Sequence, residues 1–154
     1  MAATAPNTIL LRVNERDGER PIYEDVVDGG ATVTPGEFLV FDGGDIEPHG
    51  TAAGSGFLPM VAVENIYKTV SGTKAIDTTY AATELCRYVI PQRGDKVYAW
   101  IEAGNAAVVE GAALESGASG NLQTATTGQV LAYAAEAVDN SGGGSRVRIR
   151  VTIA

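Results

Sequence analysis

From Gly94 to Ala154 the chain reads GDKVYAWIEAGNAAVVEGAALESGASGNLQTATTGQVLAYAAEAVDNSGGGSRVRIRVTIA. Short apolar runs are stopped by Gly, Asn or Ser about every 8–12 residues, and no run sustains the 3.6-residue apolar period of a helix. That grammar encodes short strands joined by tight turns, and such strands close into a small barrel or a sandwich. With 19 glycines in 154 residues, turns and closely approaching strands are favoured over thick helices. The expectation is an all-β fold: a small β-barrel or β-sandwich with an N-terminal arm and long Gly-rich loops.

The first two-thirds follow the same rule less strictly. Ile9, Leu10, Leu11 and Val13 make a β-prone run behind a polar leader that contains Pro6. A charged loop, NERDGER, turns at Asp17-Gly18, and Pro21 to Val27 reads as a strand stopped by Asp28-Gly29-Gly30. A Pro35-Gly36 turn feeds the run from Phe38 to Phe41. Residues 42–57 read as a long Gly-rich loop. In the strand pattern from Leu58 to Ile66, Leu58, Met60, Ala62 and Glu64 share one face, and Val61, Val63 and Asn65 share the other. Thr73 to Ile90 reads as mostly extended, ending at Pro91. The last third predicts strands over Lys96–Ile101, Ala106–Val109, Gln129–Val138 and Arg146–Ile153, with GAALESGASGN as a loop. The domain reading is an arm over residues 1–13 and a single β-rich domain over 14–154.

Apolar residues at 45% and charged residues at 19% suit a globular chain rather than a disordered one. The net charge of −8 is unevenly spread. Residues 1–50 hold most of the acids and only Arg12, Arg16 and Arg20 as bases, whereas residues 141–154 hold Arg146, Arg148 and Arg150 and no acid. A chain of this charge is repelled by nucleic acid and by anionic membranes, so neither is an expected partner. The single cysteine, Cys86, excludes an internal disulfide. The opening MAATAPNTILLRV lacks the basic and apolar regions of a signal peptide, and no run approaches the roughly 20 apolar residues of a membrane helix.

A search for catalytic chemistry finds none of the acyl-transfer, phosphate-loop, dinucleotide or zinc-protease signatures. His49 reads as a surface-loop histidine and Cys86 as a buried thiol, not as a nucleophile and its base. Asp42, Asp45 and Glu47 with His49 nearby are the best oxygen-rich cluster for a cation, yet their spacing is not that of a calcium loop. No metal, no cofactor and no enzymatic activity is assigned.

Two patterns suggest contact surfaces instead. Tyr98 and Trp100 project on one side of the GDKVYAW strand, with Val97, Ala99 and Ile101 on the other. Either the aromatics fill the core, which is the more natural reading, or the small residues do and the aromatics are free to anchor an interface. Arg146, Arg148 and Arg150 alternate with Val147, Ile149 and Val151, so three guanidiniums share a face. That face is either a solvated row that discourages edge pairing or a basic surface that meets an acidic one on a sister subunit or a host protein, the acidic N-terminal half of the same chain being an available partner. Ile9, Leu11 and Val13 share a face and suit strand addition to a neighbouring subunit; the alternative is that they begin the domain's own sheet.

The turn-strand GDKVYAW, the segment VVEGAALESGASGNLQT and the ending AEAVDNSGGGSRVRIRV resemble the small head decoration, or cement, proteins of tailed bacteriophages. The resemblance implies a non-enzymatic virion protein, made in the host cytoplasm and bound to the outer capsid surface. Its partners would be the major capsid protein and itself, as a homotrimer, with an N-terminal arm adding to the contact. Capsid or subunit contacts then fall to Ile9, Leu11, Val13, Tyr98, Trp100, Arg146, Arg148 and Arg150. The alternative is a carbohydrate- or ligand-binding β-sandwich displayed on the virion, with Tyr98 and Trp100 lining its groove.

Overall fold

The computed structural model describes residues 5–13, 19–50, 58–68 and 70–154. Eleven strands follow in chain order: β1 (Leu10–Arg12), β2 (Ile22–Val26), β3 (Phe38–Asp42), β4 (Asp45–Pro48), β5 (Met60–Ala62), β6 (Leu85–Val89), β7 (Lys96–Ile101), β8 (Ala113–Ser116), β9 (Leu122–Thr124), β10 (Ala132–Ala134) and β11 (Val147–Ile153). A single 3-10 turn, Ala75–Asp77, is the helical element among the described residues. The fold is all-β, as the turn spacing predicts: a closed five-strand barrel and a separate sheet.

The barrel runs β7-β11-β10-β8-β9, and a parallel pairing of β9 with β7 at Leu122 and Ile101 closes it. β7 is the seam strand. Its odd residues pair into β11, while its even amides point to the other edge and find three different acceptors. Tyr98 N–H donates to Ile9 O, Trp100 N–H to Gly36 O and Glu102 N–H to Leu122 O. Thus β1, the Pro35-Gly36 turn and β9 share one edge of one strand. Gly36 fits there because its φ is +92° and a Cβ would sit 2.8 Å from Tyr98 O.

The second sheet runs β2-β6-β5-β3-β4. It curls until its two edge strands touch at one parallel bridge, Val27 with Ile46. Both of its faces are used. Phe38, Val61 and Val89 join the barrel interior in one core, whereas Leu39, Met60, Ala62, Cys86 and Tyr88 pack in a second core with Val27, Ile46 and Tyr80. The alternation expected for Met60 and Ala62 against Val61 and Val63 is present, with all four buried.

Several local expectations change: of the strands expected over Ala106–Val109 and Gln129–Val138, the first is only a bridge from Val108 to Val138 and the second is confined to β10. The arm expected over residues 1–13 belongs to the body of its own chain from Ile9 onward: Ile9 is fully buried and β1 pairs with β7. Residues 1–4 lie outside the described residues, as do 14–18 of the charged loop. The loop expected over 42–57 contains strand β4, because Gly43 and Gly44, both at positive φ, make a hairpin turn rather than a long excursion; residues 51–57 lie outside the described residues. The GAALESGASGN stretch carries β8, since Leu114, Glu115 and Ser116 are fully buried and pair with β9 and β10.

Candidate interface surfaces

On β7, Val97, Ala99 and Ile101 point into the barrel and are fully buried, while Tyr98 and Trp100 lie half-buried on its outer face. The core reading of the two aromatics is therefore corrected. A narrow five-strand barrel has room for Val, Ala and Ile inside, and none for an indole. Opposite them on β11, Ile149, Val151 and Ile153 face inward, and Arg148 and Arg150 stand across from Trp100 and Tyr98.

The arginine row is occupied within the chain. Both Arg146 and Arg148 lie over the Trp100 ring, at 4.3 Å and 4.0 Å from its centroid. Arg148 donates to Pro35 O at 3.0 Å, to Asp77 at 2.6 Å and to Ile76 O, and Trp100 Nε1 donates to Pro35 O at 3.0 Å. Arg146 bonds Glu37, Asn121 Oδ1 and Thr34 Oγ1, and Arg150 reaches Glu136 at 2.6 Å. The acids that meet this row thus come from the chain itself, one of them, Glu37, from its acidic first third. Burial pushes the Glu37 carboxyl up more than the Thr34 amide and Arg146 pull it down. Together these groups pin the 34–37 turn, which joins the two sheets, onto the barrel wall. A shallow recess of about 340 Å³ remains beside Trp100, lined by Lys74, Asp77, Tyr98, Arg146 and Arg148.

Other polar side chains are spent on tethering. Glu115 is fully buried and accepts from Gln123, Thr126, Thr127 and Gly128. Burial raises its carboxyl, and the hydrogen bonds from Gln123, Thr126 and Gly128 outweigh that, holding it at about 2. His49 is buried rather than in a surface loop, with Nδ1 2.9 Å from Ser116 Oγ. Ser116 has no exposed surface for a substrate to reach, so this contact is a post between β4 and β8 rather than a nucleophile with its base. Arg20 and Asp95 form a buried two-bond ion pair, at 2.7 and 3.0 Å, that ties the start of β2 to the turn before β7. Cys86 is the buried thiol expected, its pKa pushed up by burial. Asp42, Asp45 and Glu47 share the outer face of the β3–β4 hairpin while His49 points inward; among the described residues no group of three His, Cys, Asp or Glu is arranged to hold a metal ion.

What the sequence reading passed over is an apolar surface on the second sheet. Ile22, Tyr23 and Val26 on β2 and Leu85 on β6 are 37–51% exposed. Tyr67 stands beside them with its hydroxyl on Glu24, and a groove of about 380 Å³ opens between Asn65–Lys68 and Glu84-Leu85, floored by Tyr80. Thr83, a β-branched residue at φ 64°, shapes the turn into this groove. The signal in the sequence was IYEDVV, a strand with large apolar side chains on both faces. It was read only as a strand because its place at a sheet edge is a tertiary fact.

No family model matches the chain, and no curated protein matches it either.

Proposed function

We propose that this chain is a structural virion protein that binds the outer surface of an icosahedral capsid and stabilises it by bridging major capsid protein subunits. The observation that carries the reading is how the polar side chains are used. Arg146, Arg148, Glu115, His49 and Arg20 each fasten a loop or turn of the chain's own body, while the surface left open is apolar and acidic. A small barrel cross-tied in this way resists deformation, and a protein that braces a shell under pressure acts through rigidity and contact area. The resemblance of GDKVYAW and AEAVDNSGGGSRVRIRV to head decoration proteins points the same way. The bound form would be a homotrimer, each copy touching capsid protein.

The reading as a carbohydrate-binding module rested on the aromatic pair, and the Trp100 ring is already covered by two guanidiniums. The test is a pelleting assay with expanded heads of a tailed phage that encodes the chain, stripped of it. The purified protein is expected to co-sediment to saturation and to raise the temperature at which the heads release DNA. Failure to co-sediment at micromolar concentration would overturn the proposal.

A further inference from the structure

β2 has the side chains of an interior strand and the position of an edge strand. Val27 N–H bonds Glu84 O in the ladder with β6, and Asp28 N–H bonds Ile46 O on the opposite edge. By alternation, the amides of Ile22, Glu24 and Val26 point away from β6. No hydrogen bond from these three amides is found among the described residues. The edge meets β4 only at Val27 and Ile46; on the Ile22 side of that parallel bridge, β4 has already turned back through Gly43-Gly44. Among the described residues, the curled sheet is therefore zipped at one point and open along the length of β2.

The walls of this opening are apolar and its rim is acidic. On the inner side Tyr23 stacks on Tyr88 at 5.6 Å, and Phe41, half-exposed, meets the edge of Tyr88 at 6.3 Å. On the outer side lie Ile22, Val26 and Leu85. Glu24, Asp25, Asp42 and Asp45 border the gap, and Arg87, across from Glu24 on β6, is 3.9 Å from its carboxylate and so already engaged.

We propose that the open β2 edge is a strand-addition site for an extended segment of a partner protein in which apolar residues alternate with Lys or Arg. Backbone bonds to Ile22, Glu24 and Val26 give the affinity, the aromatic and aliphatic walls take the apolar side chains, and the acidic rim selects the cations. A second copy of β2 is a poor occupant. Pairing two such edges in full overlap puts Glu24 opposite Glu24 and aligns acidic rims, and like charges directly opposite are destabilising.

The test uses the full chain, labelled with ¹⁵N, and two synthetic probes: a peptide of alternating Val and Lys, and one of alternating Val and Glu. Amide hydrogen exchange is followed by NMR. The Val/Lys peptide is expected to slow exchange at Ile22, Glu24 and Val26 by at least about tenfold, less so at high salt, and the Val/Glu peptide to do nothing there. Val26→Pro removes an outward amide without touching the β6 ladder, so the variant should melt like the parent and lose the protection at Ile22 and Glu24. Glu24→Lys should weaken the Val/Lys peptide and leave the edge geometry intact. Equal protection by both peptides, protection elsewhere only, or undiminished binding by Val26→Pro would overturn the site. So would protection in the free protein that vanishes on dilution, which would assign the edge to a second copy.

Discussion

The Arg148 guanidinium lies over the Trp100 ring while its donors reach Pro35 O, Ile76 O and Asp77. With a side chain only 7% exposed, its removal takes the donor from Ile76 O and leaves Pro35 O with the Trp100 indole alone. Arg148→Ala should cost about 2–3 kcal/mol, and Arg148→Lys should recover little, because an ammonium cannot span those acceptors in one plane. Urea unfolding checks this: the midpoint should fall with the slope unchanged. Glu115 gives a pH prediction. Its carboxyl is held at about 2, below its ordinary 4.5, so its contribution to stability is full above about 4.5 and is lost as the pH falls toward 2. The melting temperature should drop over that window, and Glu115→Gln should flatten the drop while lowering stability at neutral pH. An identical acid slope in the variant would refute the assignment. Neither role was readable from sequence. The alternation of Arg146, Arg148 and Arg150 with aliphatics predicted which face they share, yet the Pro35 carbonyl and the Thr34 hydroxyl that Arg148 and Arg146 grip lie in a turn more than a hundred residues earlier.

Among the elements, β1 shows how a local pattern leaves tertiary place undecided. Ile9, Leu10, Leu11 and Val13 read as β-prone, and that much was legible; whether they pair within the chain or with a neighbour depends on whether β7 has a vacant edge. It does, and β1 fills it with Ile9 at full burial. A protein beginning at Asn14 should therefore lose much of its stability or fail to fold, and Ile9→Ala alone should cost about 2–5 kcal/mol. A thermal melt by circular dichroism decides it: an unchanged melting temperature in the truncated chain would show β1 to be dispensable. The Pro35-Gly36 turn was legible as a turn but not as a staple across the barrel seam. Gly36→Ala, at positive φ and against Tyr98 O, should cost more than about 1 kcal/mol. In the last third, β7 matches its expected bounds and β11 starts one residue late, because both strands alternate cleanly between core and exterior, whereas Ala106–Val109 keeps only the Val108 bridge to Val138 and Gln129–Val138 narrows to β10. The strand in GAALESGASGN escapes the sequence pattern because Glu115 and Ser116, polar by type, are buried there, Glu115 satisfied by loop amides and a hydroxyl and Ser116 by the His49 ring.

Taken whole, the molecule is a closed barrel that shares its core with a second, incompletely closed sheet, and the loops between them are pinned by buried charges. The acidic first third and the basic last strand, which suggested complementary subunits, meet inside one chain at Arg146 and Glu37. Charge asymmetry therefore no longer argues for a trimer. The open surface that remains, apolar on β2 and acidic around it, is where this account looks for contact with other proteins. The most direct measurement is electron cryo-microscopy of phage heads prepared with and without this protein. A difference map should place a five-strand barrel on the outer capsid surface, bridging neighbouring capsid protein subunits. Density inside the head, on the tail, or nowhere on the particle would contradict the account.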